Sequence, residues 1–431
     1  RDGPAADAPA APAPAPSARI PCRTDRVLSV DLGPPGGPAT LLAPGGRVVA
    51  DVVNSAPTSA GGPAPVATVN VSRSGRRGWR DVLPRVRCTA LASDDRLLAV
   101  GTACGCLYLY APPGSGGWDA CRARRAYPPL VLGSPVAELH VSRPTGGGGG
   151  GDDGERPGRM VAVLSDGSFH VYLLQVAGPR LEYEGSVLPA MNTARLGSGP
   201  GAAFPRLARV QVTDTGHLLL VLWVAQGRSP PGGGAGGGRS LRAFAYDRGA
   251  GCWVSASDPS SFPLSVHSSS VPSLTRGRRD ADGILSRADG LVRSGGAGPA
   301  VTARELCRGA GGGAPTPADV TRSHCEDRVA ASAALGSRDE FVVWTGRLAG
   351  CLAGGGDEDG LRYLVDDLLG GDGAAGGGGG GRGARSFVGA AVDTLGLDPR
   401  ALVRDSILPE ISRNRQLQRL LNEVQMELQS L

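Results

Sequence analysis

Short apolar runs separated by turn residues recur through the first three quarters of this 431-residue chain. The segment at 96–111 reads RLLAVGTACGCLYLYA, in which two apolar runs flank a turn that contains glycine. The segment at 159–174, RMVAVLSDGSFHVYLL, repeats that order around an Asp-Gly pair, a strong hairpin signal between residues of high β propensity. A third hairpin runs through 217–224 and returns at 240–246 after a glycine-rich insert. Consecutive hairpins restrict the chain to antiparallel sheets.

The spacing of these hairpins predicts a series of similar sheets. Ala99 and Ala162 occupy equivalent places in the first two hairpins and are 63 positions apart. Without the glycine-rich insert at 143–158, about 47 positions remain, close to the ~40–45 residues of one WD-type propeller blade. Weaker strand patterns lie at 27–32, 47–53 and 67–71. We predict a mainly β fold class, a WD40-like β-propeller with degenerate blades over residues 19–317, and leave the number of blades open.

Beyond residue 317 the apolar spacing changes from that of strands to that of helices. Apolar residues recur at i, i+3 and i+4 in three segments, 328–335, 339–352 and 357–369. Asp398 followed by Pro399 is typical of an N-cap with proline at the first helical position. Pro409 is expected to break or kink the helix that they open. The sequence therefore predicts an α-helical C-terminal region over 318–431.

The last predicted helix carries an aliphatic seam, which is our candidate oligomer or partner interface. Its members follow one another at spacings of 4, 3, 4 and 3 residues: Leu417, Leu421, Val424, Leu428 and Leu431. Such spacing corresponds to two heptads of a coiled-coil a/d pattern. Because two heptads are too short to be stable alone, the helix is expected to dock on its own domain or on a neighbouring protomer.

All the basic residues of the chain are arginines. The 45 cations stand against 40 acidic residues, which gives a formal net charge of +5 spread along the sequence. Without lysine there is no Walker A loop and no lysine Schiff base. Because a nucleic-acid binder usually has a clustered basic face, we expect solvated arginines and no direct sequence-specific nucleic acid binding.

The remaining composition indicates a soluble, intracellular piece of a longer protein. Residues 1–18 form an Ala/Pro linker, expected to be disordered, and the chain begins with Arg1 instead of methionine. The nine cysteines contain no CxxC pair and have irregular spacing, as expected in a reducing compartment. No run of 18 apolar residues and no signal-peptide core occurs, so no membrane contact is expected.

Catalytic motifs are missing from the sequence, so we expect no enzyme, no cofactor and no metal ion. HExxH, GxSxG, a dinucleotide fingerprint and an EF-hand loop do not occur. His170 and His217 lie in strand patterns and are interpreted as structural histidines. Cys104 and Cys106 would need a second ligand pair besides His140 to hold a metal ion.

An arginine cluster precedes Trp79 and leaves two interpretations open. SRSGRRGW contains Arg73, Arg76 and Arg77, which could contact phosphate or an acidic partner. The favoured interpretation is a solvated hairpin turn that leads into the strand with Trp79. Without interleaved aromatic residues the cluster is not a good platform for a single nucleic acid strand.

Six segments follow one another in a recognisable order. They are YPPLVLGSPVAELH (127–140), VAVLSDGSFHVY (161–172), AYDRGAGCWVSASDP (245–259), HSSSVPS (267–273), CEDRVAASAALGSRDEFVVWTGRLAGCLAGGGDEDGLRYLVDDLLG (325–370) and LGLDPRALVRDSILPEISRNRQLQRLLNEVQ (395–425). In this order and spacing the chain resembles the C-terminal Hir domain of the HIRA family, the histone-regulatory chaperones of eukaryotic chromatin. The resemblance covers residues 79–431 and is most specific at the helical end.

This resemblance implies a non-enzymatic scaffold subunit of a nuclear histone chaperone complex. Family members act in replication-independent nucleosome assembly and in transcriptional repression. Their C-terminal domain self-associates as a trimer and recruits the complex's large scaffold subunit (Cabin-like or its fungal equivalents). Histone dimers and the Asf-type chaperone would be contacted indirectly, through family parts outside this fragment, among them an N-terminal WD-repeat propeller.

Two other function classes remain. A propeller-plus-helix adaptor of another nuclear assembly, such as the replisome, would share the same fold, since fold does not fix function. An enzyme built on a propeller would need inward carboxylates or histidines from successive blades, and the strand patterns do not supply them.

Overall fold

The computed structural model describes most of the chain outside the glycine-rich and alanine/proline-rich segments. The described residues are 19–32, 48–55, 65–73, 76–94, 96–112, 118, 123–142, 158–175, 178–196, 203–213, 216–225, 239–257, 265, 267, 283–294, 316–369 and 387–430. The predicted linker 1–18 and the last seam residue, Leu431, lie outside these ranges.

Strands dominate the described part of the chain before residue 258. Their bounds are β1 Val27–Asp31, β2 Val48–Asn54, β3 Val66–Arg73, β4 Arg76–Pro84, β5 Cys88–Ser93, β6 Leu98–Thr102, β7 Cys106–Ala111, β8 Arg124–Arg125, β9 Leu130–Val131, β10 Val136–Ser142, β11 Gly158–Leu164, β12 Ser168–Gln175, β13 Gly178–Ser186, β14 Arg206–Val212, β15 Leu218–Ala225, β16 Arg239–Asp247 and β17 Cys252–Ser257. The burial of alternate residues in β2 and β3 is typical of sheets with one face on a core.

The strands form four sheets in which neighbours in sequence are neighbours in space. The orders are β1-β2-β3-β4, β5-β6-β7-β8 with β9 also paired to β7, β10-β11-β12-β13, and β14-β15-β16-β17. A four-strand antiparallel meander is the arrangement of a propeller blade. The predicted fold class, mainly β with a helical C-terminal region, is confirmed.

The predicted hairpins form with the expected partners. In β6 and β7, Val100 lies opposite Tyr108, and in β15 and β16, Leu220 lies opposite Phe244. Gly105 in the β6–β7 turn has φ +79°, and a Cβ there would lie 2.8 Å from the Ser134 carbonyl oxygen. Only glycine fits that turn without moving the backbone.

The helices are concentrated at the C-terminal end. Their bounds are α1 Leu188–Leu196, α2 Ile284–Ser294, α3 Pro317–Ala334, α4 Arg338–Gly355, α5 Glu358–Leu369, α6 Phe387–Thr394, α7 Pro399–Leu402, α8 Leu408–Ser412 and α9 Gln418–Ser430. The boundary predicted between 317 and 318 stays a prediction. The sequence interpretation missed α1 and α2, which lie in the stretch expected to be strands, because they are only 9 and 11 residues long.

Two of the helix starts have clear local causes. Thr316 and Asp319 form a capping box at the start of α3. Asp398 accepts a hydrogen bond from the Arg400 amide, as predicted for an N-cap before Pro399. A π-helical turn at Val403–Ile407 separates α7 from α8, directly before Pro409. The helix that was expected to be interrupted near Pro409 therefore changes its hydrogen-bonding pattern just before that residue.

The chain divides into two compact units, each with its own core. Unit 1 comprises Arg1–His140, Ala162–His170 and Glu184–Leu188, and unit 2 comprises Val141–Val161, Val171–Tyr183 and Pro189–Leu431. In unit 2, buried residues of β15, β16 and β17 and of the helices from α2 to α9 form one apolar cluster. Among the described helices, none is both long and apolar enough to span a membrane.

Candidate partner-binding surfaces

The aliphatic seam lies on α9 and the short 3-10 turn before it. Leu417, in the turn Arg415–Leu417, and Val424 are buried in the core of unit 2. Leu421 and Leu428 are half-buried and pack against that core from its edge. Of the four described seam residues, two are thus buried in the core of unit 2 and two retain exposed surface.

One core residue of this segment was missed by the sequence interpretation. Leu420 is 1% exposed, although it is not part of the 4-3-4-3 pattern. The 3-10 turn that holds Leu417 precedes α9, so the seam is not one continuous α-helix and its heptad register shifts. The outward face of α9 carries Met426, which is 66% exposed.

A network of buried polar side chains lies beneath the helices of unit 2. The Arg328 guanidinium on α3 donates to Asp289 Oδ1 on α2 at 2.9 Å, to the Ala256 carbonyl, and to His324 Nε2 at 3.2 Å. Arg328 and Asp289 are both buried. The network therefore joins α2, α3 and the end of β17 by charge-assisted hydrogen bonds, which are stronger than neutral ones.

His324 is a neutral member of this network. Burial and the nearby Arg328 charge lower its pKa from 6.5 to about 3. Because Nε2 accepts from Arg328, the proton of the neutral ring lies on Nδ1, which donates to Ser265 Oγ at 2.8 Å. His324 is therefore a structural hydrogen-bonding group and not a base poised near neutral pH.

Trp344 on α4 lies close to two arginines. The guanidinium carbons of Arg328 and Arg347 are 5.6 and 4.6 Å from its ring centre, distances at which a cation is attracted to the indole face. Arg347 Nη1 is buried and has no hydrogen-bond partner among the described residues. Burial lowers the pKa of Arg347, yet arginine stays charged at any physiological pH.

A groove of about 810 Å³ runs along the outer side of α4. One wall is the start of α3, and the other is formed by the π-helical turn and α8. Its lining, called here the α4 groove, consists of His267, Pro317, Ala318, Thr321, Val342, Val343, Gly346, Arg347, Gly350, Cys351, Gly354, Gly355, Asp405, Ser406, Pro409, Glu410 and Arg413. The groove is mainly apolar, and Arg347 brings a half-buried cation to it.

The histidines and cysteines singled out in the sequence occupy separate places. His170 lies 3.6 Å from Glu184, and burial lowers the pKa of His217. Cys104 shares a 3.2 Å hydrogen bond with the Thr102 hydroxyl. Within the described residues, no three His, Cys, Asp or Glu side chains come together as metal ligands would.

The tryptophans of unit 1 are structural. β3 and β4 form the hairpin expected around the arginine cluster, with Arg73 opposite Arg76. Trp79 packs edge-on against Tyr110, with ring centres 5.4 Å apart. Trp118 is buried, and its Nε1 donates to the Asp94 carbonyl at 3.0 Å.

Among known proteins, a member of the HIRA family is similar to this chain in sequence. The chain is 25% identical to "Protein HIRA" of Oryza sativa subsp. japonica over 345 residues, which are 80% of this chain and 29% of that relative. The resemblance to the HIRA family is confirmed. The HIRA relative is much longer than this chain, which spans less than a third of its length.

A solved structure of a HIRA fragment is also similar to this chain. The solved structure described as "Crystal structure of HIRA(644-1017)" is 19% identical, with a TM-score of 0.48, and covers 97% of this chain and 98% of its own. No protein-family model matches the chain.

Proposed function

We propose that this chain is the C-terminal Hir domain of a HIRA-type protein, a non-enzymatic scaffold subunit of a nuclear histone chaperone complex. The similarity to Protein HIRA over 345 residues is the observation that carries this proposal. The domain acts in replication-independent nucleosome assembly and in transcriptional repression. It does so by binding: it associates with itself as a trimer and recruits the large scaffold subunit of the complex.

Surface residues of α9 support a role for this helix in association. Leu421 and Leu428 keep exposed aliphatic surface, and Met426 on the same helix is largely exposed. Burying such side chains contributes about 25 cal/mol for each Å² of apolar surface removed from water. The predicted interface is therefore assigned to the half-buried part of the seam, with Leu431 beyond the described residues.

Self-association gives a simple mechanism for a chaperone scaffold. A trimer of C-terminal domains holds three tethered histone-handling modules near one another and raises their effective concentration. Histone dimers and the Asf-type chaperone are then contacted by other parts of the full-length protein. This domain makes and breaks no covalent bond.

Sedimentation velocity of the purified chain tests the assigned interface. We expect the wild type to sediment as a trimer and the Leu421→Asp/Leu428→Asp double variant to sediment as a monomer. Ser430→Asp, at an exposed position on the side of α9 opposite Leu421, is the matched control and should remain trimeric. A trimer that survives the double substitution would overturn the interface.

Recovery of partners tests the wider proposal. The full-length protein isolated from nuclei should bring down the scaffold subunit and histone dimers. Recovery of replication factors without any histone chaperone would favour the replisome-type adaptor instead.

A further inference from the structure

The α4 groove has the dimensions and the charge of a binding site for a helical peptide. We propose that it binds a short amphipathic helix from a partner protein, and that this helix presents one carboxylate to Arg347. The inference rests on unit 2 alone and goes beyond the scaffold function proposed above.

The size of the groove sets the length of its occupant. Its floor extends along α4 from Val342 to Gly355, which at 1.5 Å per residue is about 21 Å. An α-helix of about 14 residues, roughly four turns, matches that length. A Cβ placed on Gly354 would meet no heavy atom within 4 Å, so this end of the floor is open.

The walls favour a helix over an extended peptide. α3, α4 and α8 surround the groove, and the backbone amides and carbonyls within a helix are already paired with one another. An extended peptide would find few backbone partners there and would leave its own polar groups unpaired. A helix satisfies its own backbone and can place an apolar face in the groove.

The positive charge of Arg347 at the groove favours an occupant that carries a negative charge. Arg328 and Arg347 both lie against Trp344, and Asp289 pairs with Arg328 at 2.9 Å. Among the described residues Arg347 forms no ion pair, and its half-buried side chain lines the groove. A carboxylate of the bound helix would supply an ion-pair partner to the part of Arg347 that faces the groove, and a hydrogen bond to a charged group is worth more than a neutral one.

The wall formed by the π-helical turn and α8 determines which side of the bound helix carries the carboxylate. It carries Asp405 and Glu410, which pair with Arg404 at 2.8 Å and Arg413 at 2.5 Å. Because these arginines are already paired, a carboxylate on that side would gain less than one beside Arg347. The occupant is therefore a helix with its Asp or Glu towards Arg347 and with uncharged residues towards this wall.

A peptide library provides the probe. Peptides of 14 residues on a helix-forming framework are selected on the intact chain, and the best binder is labelled for fluorescence anisotropy. We expect the binder to carry an apolar face with one Asp or Glu. Replacing that residue by Asn or Gln should weaken binding at least tenfold, and so should Arg347→Gln in the chain. Arg338→Gln, an exposed arginine at the start of the same helix, is the matched control and should leave affinity unchanged.

A second variant separates loss of binding from loss of folding. Gly354→Leu projects a side chain into the open end of the groove and also improves helix propensity. It should keep or raise the midpoint of thermal unfolding while abolishing peptide binding.

Three results would overturn the inference: a selection that enriches no peptide, binding that survives Gly354→Leu, or binding that is equal in wild type and Arg347→Gln. Dissociation of the chain's own oligomer by Gly354→Leu would assign the groove to a second copy instead.

Discussion

Asn54 at the end of β2 holds the backbone of Cys88 at the start of β5 from both sides. Its Nδ2 donates to the Cys88 carbonyl at 2.9 Å, and its Oδ1 accepts from the Cys88 amide at 2.8 Å. Asn54 is buried, and Nδ2 also donates to the Asp25 carbonyl at 3.1 Å. One side chain thus connects the first two sheets within unit 1 as a short strand pairing would.

Asn54→Ala should destabilise unit 1 clearly. It leaves a buried amide and a buried carbonyl of Cys88 unsatisfied, and each costs about 1–3 kcal/mol. Urea unfolding followed by tryptophan fluorescence should show a lower midpoint. Asn422→Ala, at an exposed position of α9, is the control and should leave the midpoint within error. An unchanged midpoint for Asn54→Ala would mean that the connection contributes nothing.

The Arg328–Asp289 pair should behave as a buried ion pair. Arg328→Met alone leaves Asp289 buried without its partner, and breaking such a pair costs about 3–5 kcal/mol. The double variant Arg328→Met/Asp289→Leu removes both charges and should recover much of that loss. A double-mutant cycle by chemical unfolding measures the coupling. Additive losses would contradict the pairing.

Glu340 should control the start of α2. This fully buried side chain on α4 accepts from the Ser286 amide at 2.7 Å and from the Leu285 amide at 3.1 Å. Glu340→Gln removes the charge that faces these amides and replaces one acceptor by a donor. Hydrogen exchange of the α2 amides should accelerate. The neighbouring exposed Asp339→Asn should not change it, and equal protection in both variants would argue against the cap.

His324 should make unit 2 less stable in mild acid. Its pKa is lowered to about 3 in the folded chain, so between that value and 6.5 the unfolded chain binds more protons than the folded one. Stability therefore falls as the pH decreases through this window, by up to about 1.4 kcal/mol per pH unit. Unfolding of wild type and His324→Gln at pH 7.5 and pH 5 measures the difference, which should shrink in the variant. An equal pH dependence would contradict the assignment.

The sheets could be predicted from the sequence because their evidence is local. Alternating runs around an Asp-Gly or glycine turn determine a hairpin within about 20 residues, and the hairpins at 96–111 and 159–174 form as expected. The C-terminal helices were found in the same way, since their apolar spacing extends over several turns.

The buried Arg328 network and the α4 groove could not be predicted because they depend on residues far apart in the chain. Arg328 is 39 positions from Asp289 and 72 from Ala256, and no periodicity connects them. Leu420 was missed for a local reason: the 3-10 turn at Leu417 shifts the register that a uniform heptad count assumes. The α4 groove likewise needs α3 and α8 to be placed beside α4.

The mass of the chain in solution tests most directly whether it works by docking to other proteins, as proposed. Light scattering of the purified chain, alone and mixed with the large scaffold subunit of a HIRA-type complex, should give a trimer that gains the mass of the added subunit. A monomer whose mass does not change on mixing would contradict the account.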